Sequence, residues 1–296
     1  MACFKPLKAF KTASGAICFK LPPGDWSSLL LPCGQCSGCR VDRSKAWAVR
    51  IMHEAQMHEE CCFLTLTYDD AHCPEDGSLR QRDLQLFLKR ARKRLGVKLR
   101  YFACGEYGEN FGRPHFHVCL FGFDFVFDRV LFKKSGGGFD IYTSALLSSI
   151  WTDGFASVGE LSFESAAYVA RYVCKKVTGD QAKTHYAKLS LATGEIYEAV
   201  PEFARMSLKP GIGSDWYDKY WSDVFPRDFV VMNGMKVKPP RYYDGKFAAQ
   251  DEEAFTLMGQ KRLERAMACV DDCTPRRLAV RARVFDARLS FKKREL

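Results

Sequence analysis

The chain has 296 residues, 47% of them hydrophobic and 27% charged, which is typical of a globular protein with a sizeable core. Lys and Arg outnumber Asp and Glu by 45 to 35, so the formal net charge is +10 and an anionic partner such as nucleic acid is favoured. No apolar run is long enough for a signal peptide or a membrane-spanning helix, so we expect neither. Thirteen cysteines then point to a reducing compartment, with free thiols or metal ligands.

The N-terminal region contains the cysteine-rich stretch CGQCSGCR. Its three cysteines have the spacing C-x-x-C-x-x-C and are Cys33, Cys36 and Cys39. Three thiolates at this spacing could bind a structural Zn²⁺, with a fourth ligand from Cys3, Cys18 or a distant cysteine. An iron–sulfur centre is less expected, and three free thiols in a glycine-rich loop are the alternative.

The central region begins with strand and helix patterns. FLTLTY (63–68) alternates in polarity and predicts a buried strand. Residues 82–95 have apolar positions at helical spacing and a basic end, which predicts an amphipathic helix. LRYFACGE (99–106) and HFHVCLFGF (115–123) predict two further strands, and the turn NFGR (110–113) joins them as a hairpin.

Four more segments follow in chain order. SGGGFD (135–140) is expected to be a flexible link, Thr143–Trp151 a helix, FASVGELS (155–162) a strand and Phe163–Val177 a helix. The order strand, helix, hairpin, helix, strand, helix predicts an α+β fold: a central antiparallel sheet with helices mainly on one face.

The chain divides into three predicted segments. Residues 1–59 form an N-terminal extension, which includes a helix predicted from Ser44 to Ala55. Residues 60–180 form the core domain. Residues 181–296 form a C-terminal extension with a basic tail, in which the signals for helices and strands are weaker. No G-x-x-x-x-G-K-[ST] sequence is present, so a fused P-loop helicase is not expected.

RPHFHVCLFG places two imidazoles on one sheet face. His115 and His117 are two residues apart on a predicted strand, so both point the same way. Glu106 lies across the short turn, with Glu109 as the alternative acid. A carboxylate and two imidazoles can hold Mg²⁺ or Mn²⁺ with positions left open. The alternative is an incidental H-x-H pair beside a solvated glutamate.

YVARYVCKK (168–176) places two tyrosines one helical turn apart. Tyr168, Tyr172 and Lys175 share a helical face, and Arg171 and Lys176 add positive charge nearby. Beside a divalent metal ion, a tyrosine hydroxyl could attack a phosphodiester while a lysine and the metal offset the developing charge. A second tyrosine would allow a second transfer while the first still holds DNA. The alternative is two amphipathic tyrosines that pack at a helix edge.

FLTLTY, GRPHFHVCLFG and YVARYVCKK resemble, in this order, the three motifs of the HUH endonucleases that initiate rolling-circle replication. Val169, Tyr172 and Lys175 match the third motif, V-x-x-Y-x-x-K, and the doubled tyrosine resembles the two-tyrosine branch. CGQCSGCR, CGEYG and LKPGIG extend the likeness to the replication initiators of gokushoviruses, within the microviruses.

The resemblance implies an HUH/RRM-like core and a metal-dependent nickase that joins strand ends. Tyr172 or Tyr168 would become linked to a 5′ end at the viral origin, with Tyr172 the principal candidate because it has the full lysine-containing context. A host polymerase would extend the 3′ end, a host helicase would open the duplex, and the setting would be the cytoplasm of the bacterial host. Arg113, Arg171 and Lys176 are candidate DNA contacts.

Three other functions fit parts of the pattern. An HUH relaxase or transposase would share the chemistry and differ in its DNA site. A non-catalytic basic DNA-binding protein would need neither tyrosine. A non-haem iron oxygenase would use two histidines and a carboxylate, but it leaves the tyrosine–lysine helix and the positive charge unexplained.

Overall fold

The computed structural model describes residues 3–108, 112–172, 181–189 and 194–291, and for Tyr172, Gln181 and Leu189 it describes the backbone only. Within these ranges the chain forms two compact units. One unit is residues 44–243, and the other combines the residues up to 43 with those from 244 onward. The three predicted segments, with boundaries at residues 59 and 180, remain a prediction.

The helices and strands are numbered in chain order. The strands are β1 (Leu7–Thr12), β2 (Ile17–Cys18), β3 (Trp26–Leu31), β4 (Cys61–Tyr68), β5 (Arg100–Tyr107), β6 (Pro114–Phe121), β7 (Arg129–Lys134), β8 (Asp140–Ser144), β9 (Gly154–Glu160), β10 (Ala187–Leu189), β11 (Ile196–Glu198), β12 (Phe203–Met206), β13 (Val230–Met232) and β14 (Met235–Val237). The helices are α1 (Ser37–Ala55), α2 (Gln81–Leu95), α3 (Ala145–Ile150), α4 (Phe163–Tyr172), α5 (Gln181–Tyr186), α6 (Ser214–Val224), α7 (Arg241–Gln250), α8 (Glu252–Met267) and α9 (Pro275–Ser290), with a 3₁₀ turn at Val270–Cys273.

The unit of residues 44–243 is built on a 7-stranded sheet in the order β12-β5-β6-β4-β9-β8-β7. Every neighbouring pair of these strands is antiparallel. The predicted α+β class with a central antiparallel sheet is therefore confirmed. The predicted hairpin is β5 and β6, and β4 lies between β6 and β9 as the innermost strand.

One sheet face is covered by α2 and α3. The helices contribute Leu84, Phe87, Leu88, Ala91, Leu147 and Ile150 to a core that also contains residues of the central strands, such as Leu64, Val118 and Val158. The apolar positions of α2 recur at helical spacing, and those of β4 alternate, so each element buries one side against the other. Gly96 ends α2 in the left-handed conformation that closes helices.

The opposite sheet face is covered by parts of α1 and α4. Ala48 and Ile51 of α1 and Ala166 and Val169 of α4 share a second core with β5 and β6 residues, which include Phe102, Cys104, Cys119 and Phe121. The sequence favoured helices mainly on one face, whereas the structure divides them between both. The physical reason lies in β5 and β6, whose residues are apolar and buried on both sides, so either bare face would expose a core to water.

Three strands of the sheet were not predicted. β7 and β8 form a hairpin around the stretch that was expected to be a flexible link, with Gly138 at a φ of 83° in the turn. β12, which follows the weaker signals after residue 180, pairs with β5, and Ala204 lies opposite Cys104. Ala145–Ile150 is the helical part of the stretch predicted as a helix from Thr143 to Trp151, because Thr143 and Ser144 end β8.

The segment LKPGIG is bound by a buried ionic network. Glu54 accepts a hydrogen bond from the Gly213 amide at 2.7 Å and pairs with Arg100, whose Nη2 donates to the Pro210 carbonyl at 2.9 Å. Arg50 Nε donates to the Ile212 carbonyl at 2.9 Å. The segment is therefore held by α1 and β5, and these contacts account for its polar requirements without a ligand.

The other unit contains a small antiparallel sheet in the order β2-β1-β3, together with α8 and α9. Asp251 caps α8 and Thr274 caps α9 through side-chain acceptors for backbone amides. Nowhere in the described ranges does a helix have the length and apolar character needed to cross a bilayer.

Candidate metal and tyrosine site

The β5–β6 register brings a carboxylate and two imidazoles to one place. Glu106 lies directly opposite His115, and Cys104 lies opposite His117. Residues two apart on a strand share a face, so Glu106, His115 and His117 all project from the face that α4 covers. The short connection between the two strands therefore converts a sequence separation of nine residues into a contact.

The three side chains are in hydrogen-bond contact. Glu106 Oε1 lies 2.7 Å from His115 Nε2 and 2.9 Å from His117 Nε2. Glu106 and His117 are 3% and 7% exposed, and His115 is half-buried. One ligand atom from each residue can be chosen so that all lie within 4.8 Å of one another. The grouping predicted from the sequence is thus present as a compact, largely buried cluster.

The distal nitrogens of both imidazoles have fixed partners. His115 Nδ1 lies 3.1 Å from the Arg113 carbonyl, which can only accept, so Nδ1 carries the proton and Nε2 offers a lone pair. His117 Nδ1 lies 3.0 Å from the Thr65 hydroxyl on β4. These contacts turn both Nε2 atoms toward Glu106, which is the orientation that metal-binding histidines require.

The cluster carries negative charge in a buried position. Burial opposes ionisation of Glu106, but hydrogen bonds from His115 and His117 outweigh it and lower the pKa of this carboxyl below its usual value. Glu106 Oε2 is buried and has no hydrogen-bond partner among the described residues. A buried carboxylate oxygen without a partner is costly, and a bound cation would satisfy it. One carboxylate and two imidazoles are a donor set that fits Mn²⁺ or Mg²⁺.

Tyr168 on α4 reaches the cluster. Its hydroxyl lies 3.4 Å from Glu106 Oε1, and its ring packs edge-on against His117 with centroids 5.2 Å apart. Tyr172 is the last residue of α4, one turn further on, and its side chain lies outside the described atoms. Lys175 and Lys176 also lie outside the described residues, so their predicted roles stay predictions.

The two arginines proposed as DNA contacts have different surroundings. Arg113 donates to the Tyr68 carbonyl at 2.9 Å and pairs with Asp70, so at least part of its guanidinium is engaged within the protein. Arg171 is exposed, and its guanidinium carbon lies 5.4 Å from the centre of the Tyr168 ring. Arg171 is therefore the described cation nearest to the site in the predicted tyrosine helix.

A cavity of about 120 Å³ opens beside His117 and Tyr168. Thr65 and Ser157 line its floor on the sheet, and Phe139 forms part of its wall. The remaining lining residues are Phe63, Ser135, Asp140, Ile141, Gly159, Glu160, Ser162 and Ser165. Space next to the tyrosine hydroxyl is a requirement for any substrate, and this cavity provides it.

The predicted cysteine group is also assembled. Cys33, Cys36 and Cys39 lie together with Cys3, and their four sulfur atoms are within 4.8 Å of one another. Of the fourth ligands considered from the sequence, Cys3 is the one in the group, and Cys18 is not part of it. A shared metal is compatible with this grouping.

Sequence patterns could not identify Thr65 as a partner of His117. Thr65 lies opposite His117 because β4 pairs with β6, a contact across 52 residues of sequence. The only signal was the polar position within the alternating FLTLTY strand. Its identity as a threonine gained meaning once the neighbouring strand was known.

An antiparallel sheet that presents a His-x-His pair, a carboxylate and a helix-borne tyrosine on one face defines the class, an HUH-type replication protein. The family model for replication-associated proteins of the ORF2 type matches residues 61–177, which contain all of these groups. The similarity therefore covers the part of the chain in which the sequence motifs lie.

The chain belongs to the family of microvirus replication-associated proteins. It is 35% identical over 254 residues to replication-associated protein VP4 of Bdellovibrio phage phiMH2K, covering 82% of this chain and 76% of that protein. It is 30% identical over 282 residues to replication-associated protein ORF2 of Spiroplasma virus 4, with coverage of 87% and 83%. For replication-associated protein ORF4 of Chlamydia phage 1 the values are 32% over 240 residues, 76% and 56%. No solved structure matches the chain.

Proposed function

We propose that this protein initiates rolling-circle replication by nicking one strand at the viral origin and later rejoining the displaced strand into a circle. The observation that carries the proposal is the contact between the Tyr168 hydroxyl and Glu106, at 3.4 Å, within a cluster that also contains His115 and His117. Membership of the replication-associated family supports the same conclusion.

The proposed reaction is a transesterification. The tyrosine oxygen attacks phosphorus, a bond between tyrosine and phosphorus forms, and the bond from phosphorus to the 3′ oxygen breaks. The tyrosine proton is lost and the leaving oxygen gains one, so the products are a 5′-phosphotyrosine and a free 3′-hydroxyl. One phosphodiester replaces another, so the step is reversible and can rejoin ends.

Each side chain has a role in this scheme. Glu106, His115 and His117 would hold Mg²⁺ or Mn²⁺, which when bound polarises a phosphate oxygen. Tyr168 and Tyr172 are the two nucleophiles. Free tyrosine has a pKa of about 10, so a nearby cation is needed to favour the phenolate, and Lys175 is proposed to help offset the charge that develops.

Two tyrosines on one helix allow two successive transfers. They lie four residues apart on α4, so they share a face. After one circuit, the second tyrosine would cleave the regenerated origin while the first still holds the original 5′ end. The released 3′-hydroxyl would then attack the first phosphotyrosine and close a single-stranded circle.

The remaining partners follow from the reaction. The substrate would be viral origin DNA that is single-stranded or locally melted. Host helicase and polymerase would open the duplex and extend the free 3′-hydroxyl, and the reaction would take place in the cytoplasm of the bacterial host. A net charge of +10 supports binding to an anionic polymer.

The test is formation of a covalent adduct. Purified protein is incubated with Mn²⁺ and single-stranded oligonucleotides that tile the phage genome, labelled at either end. We expect a denaturation-resistant adduct that retains the 3′ label, together with a released 5′-labelled fragment that a DNA polymerase can extend. This combination establishes both the polarity of the linkage and the free 3′-hydroxyl.

Variants assign the nucleophiles. Tyr168→Phe and Tyr172→Phe are compared singly and together, with Tyr220→Phe in α6 as the control. Loss of the adduct only in the double variant indicates interchangeable nucleophiles, and loss with one single variant assigns the initiating role. An adduct that persists in the double variant, or no adduct despite bound Mn²⁺ and DNA, contradicts the proposal.

The same experiment separates the alternative functions. A non-catalytic DNA-binding protein would bind DNA equally well without either tyrosine and form no adduct. A relaxase or transposase would form the adduct on a site other than the phage origin. An oxygenase would require Fe²⁺ and a 2-oxoacid, and neither the tyrosines nor DNA would affect its turnover.

A further inference from the structure

The structure assigns a single structural Zn²⁺ to Cys3, Cys33, Cys36 and Cys39. This site is separate from the proposed nicking reaction and uses none of its residues. The four sulfur atoms lie within 4.8 Å of one another. Cys3 and Cys39 are 4% and 9% exposed, and Cys33 and Cys36 are half-buried. Four thiolates with limited access to water form a closed tetrahedral set, the usual donor set of structural zinc.

The spacing of the sulfur atoms fits one ion. Four thiolates at a Zn–S distance of about 2.3 Å in a tetrahedron are about 3.8 Å apart. The upper limit of 4.8 Å between these sulfur atoms is close to this value. An iron–sulfur cluster places several irons and bridging sulfides between its ligands, which pushes the cysteines further apart. The geometry therefore favours a single ion over a cluster.

Backbone amides support the sulfur atoms. The Cys33 amide lies 3.2 Å from Cys3 Sγ, the Cys36 amide 3.3 Å from Cys33 Sγ, and the Phe4 amide 3.4 Å from Cys36 Sγ. Amides that donate to sulfur stabilise thiolates, and such contacts surround the first ligands of metal sites. Three of the four sulfur atoms receive one of these contacts.

The proposed ion would connect segments that are distant in sequence. Cys3 lies 30 residues before Cys33, whereas Cys39 lies within the first turn of α1. Next to Cys3, the Phe4 ring contacts Phe285 of α9 with centroids 5.3 Å apart. The zinc would thus tie the N-terminal segment to the loop before α1, in a small unit that has limited core of its own.

Metal content of the full chain tests this assignment. The protein is produced without a histidine tag, with Zn²⁺ and Fe²⁺ both supplied, and purified under reducing conditions. Because His115 and His117 could also bind zinc, the measurements use a His115→Ala/His117→Ala background. We expect about one zinc and no iron per chain, and an X-ray absorption spectrum with a sulfur shell at about 2.3 Å.

Cysteine variants test the ligand set. In that background, Cys3→Ser and Cys36→Ser should release zinc to a chelator at least about tenfold more readily, since even outer-shell changes alter metal affinity by this factor. Cys18→Ser, in the same unit but outside the cluster, should retain zinc like the parent. Zinc content below about 0.1 per chain, iron in its place, or equal retention by Cys3→Ser and Cys18→Ser overturns the assignment.

A second measurement needs no cysteine variant and therefore survives a folding failure. The unmodified full chain is alkylated under native conditions with and without prior chelation, and modified cysteines are mapped by mass spectrometry. We expect protection of Cys3, Cys33, Cys36 and Cys39 that is lost together on chelation, with Cys18 unaffected. Protection that does not depend on metal overturns the proposal.

Discussion

The hydroxyl of Thr65 lies 3.0 Å from Nδ1 of His117, across the β4–β6 pair. When His117 Nδ1–H donates to this hydroxyl, Nε2 presents its lone pair toward Glu106, 2.9 Å away. The strand that the sequence marks only by its alternation therefore sets the tautomer of a candidate metal ligand. Thr65 acts as a positioning residue, since its effect would pass through His117.

Thr65→Val removes this hydrogen bond and preserves the shape of the side chain. We expect Mn²⁺ affinity to fall about 10- to 100-fold, because an imidazole without its outer partner is less well oriented and less basic. Isothermal titration of the folded variant with Mn²⁺ measures the change. Thr65→Ser keeps a hydroxyl and should stay close to the parent, and a similar loss in both variants would contradict a role for the hydroxyl.

Glu106→Gln tests which acid belongs to the cluster. The substitution removes the negative charge and leaves a neutral oxygen, so we expect Mn²⁺ affinity to fall more than about 100-fold, beyond the range of outer-shell changes. Glu109→Gln, the alternative acid from the sequence, is the matched control and should bind Mn²⁺ almost normally. Mn²⁺ electron paramagnetic resonance compares free and bound ion in both. The reverse ranking would reassign the ligand to Glu109.

The site residues Glu106, His115 and His117 could be predicted because their grouping depends on local rules. Strand alternation puts the two histidines on one face, and a short hairpin turn brings Glu106 opposite His115. Tyr168 follows from helical spacing combined with a resemblance to known motifs. Each of these steps spans few residues, so the sequence alone carries the necessary information.

The contacts that sequence reasoning missed join distant segments. β12 pairs with β5 about a hundred residues earlier, and its short run FARM has no strong strand pattern. Cys3 was one of several candidates for the fourth sulfur, because nothing local brings it to Cys33. The basic end of α2 was a plausible DNA contact, yet α2 packs on the sheet face opposite the metal cluster. Which face a helix covers depends on the complete sheet.

Stability should depend on pH through Glu54. Its burial opposes ionisation, but hydrogen bonds from His58, Arg100 and the Gly213 amide outweigh this and lower its pKa to about 2. The unfolded pKa is about 4.3, so the ionised carboxylate contributes its full stability above that pH. The contribution is lost as the pH falls toward 2. Glu54→Gln leaves Arg100 buried without its charge partner and should cost about 3–5 kcal/mol at pH 7.

Urea unfolding at several pH values checks this prediction. The difference between the parent and Glu54→Gln should be constant from pH 7 to pH 5 and should narrow below about pH 4, because glutamine does not titrate. Glu59→Gln, an exposed acid near the same helix end, should change stability by less than about 0.5 kcal/mol. A Glu54→Gln effect that stays constant down to pH 3 would contradict the assigned cause.

Phe155 is expected to stack with single-stranded DNA if the proposed function is correct. It is 47% exposed, its ring lies 5.4 Å from that of Phe132, and it shares the cross-strand row of Thr67 and His115. Phe155→Ala should weaken binding of a single-stranded oligonucleotide by about 1–3 kcal/mol, the usual value of one base–aromatic stack. Fluorescence anisotropy at fixed salt measures this change. Phe127→Ala, at an exposed loop position, is the control and should bind normally.

Gly213 combines a left-handed backbone with close neighbours. Its φ is 74°, and a Cβ at this position would lie 2.6 Å from Tyr243 Oη and 3.2 Å from the Arg50 carbonyl. The same residue donates its amide to Glu54, so the chain cannot shift without loss of that bond. We expect Gly213→Ala to destabilise the protein by more than the roughly 1–2 kcal/mol of backbone strain alone.

Gly234→Ala separates strain from steric conflict. Gly234 has the same φ of 74°, and a methyl group added there would have no described atom within 4 Å, so its substitution should cost only the backbone term of roughly 1–2 kcal/mol. Chemical denaturation of both variants under identical conditions gives the two free energies of unfolding. Equal losses would mean that Tyr243 and Arg50 move aside without cost. A larger loss for Gly213→Ala locates the conflict at the buried network that binds LKPGIG, and it explains why a glycine is needed there.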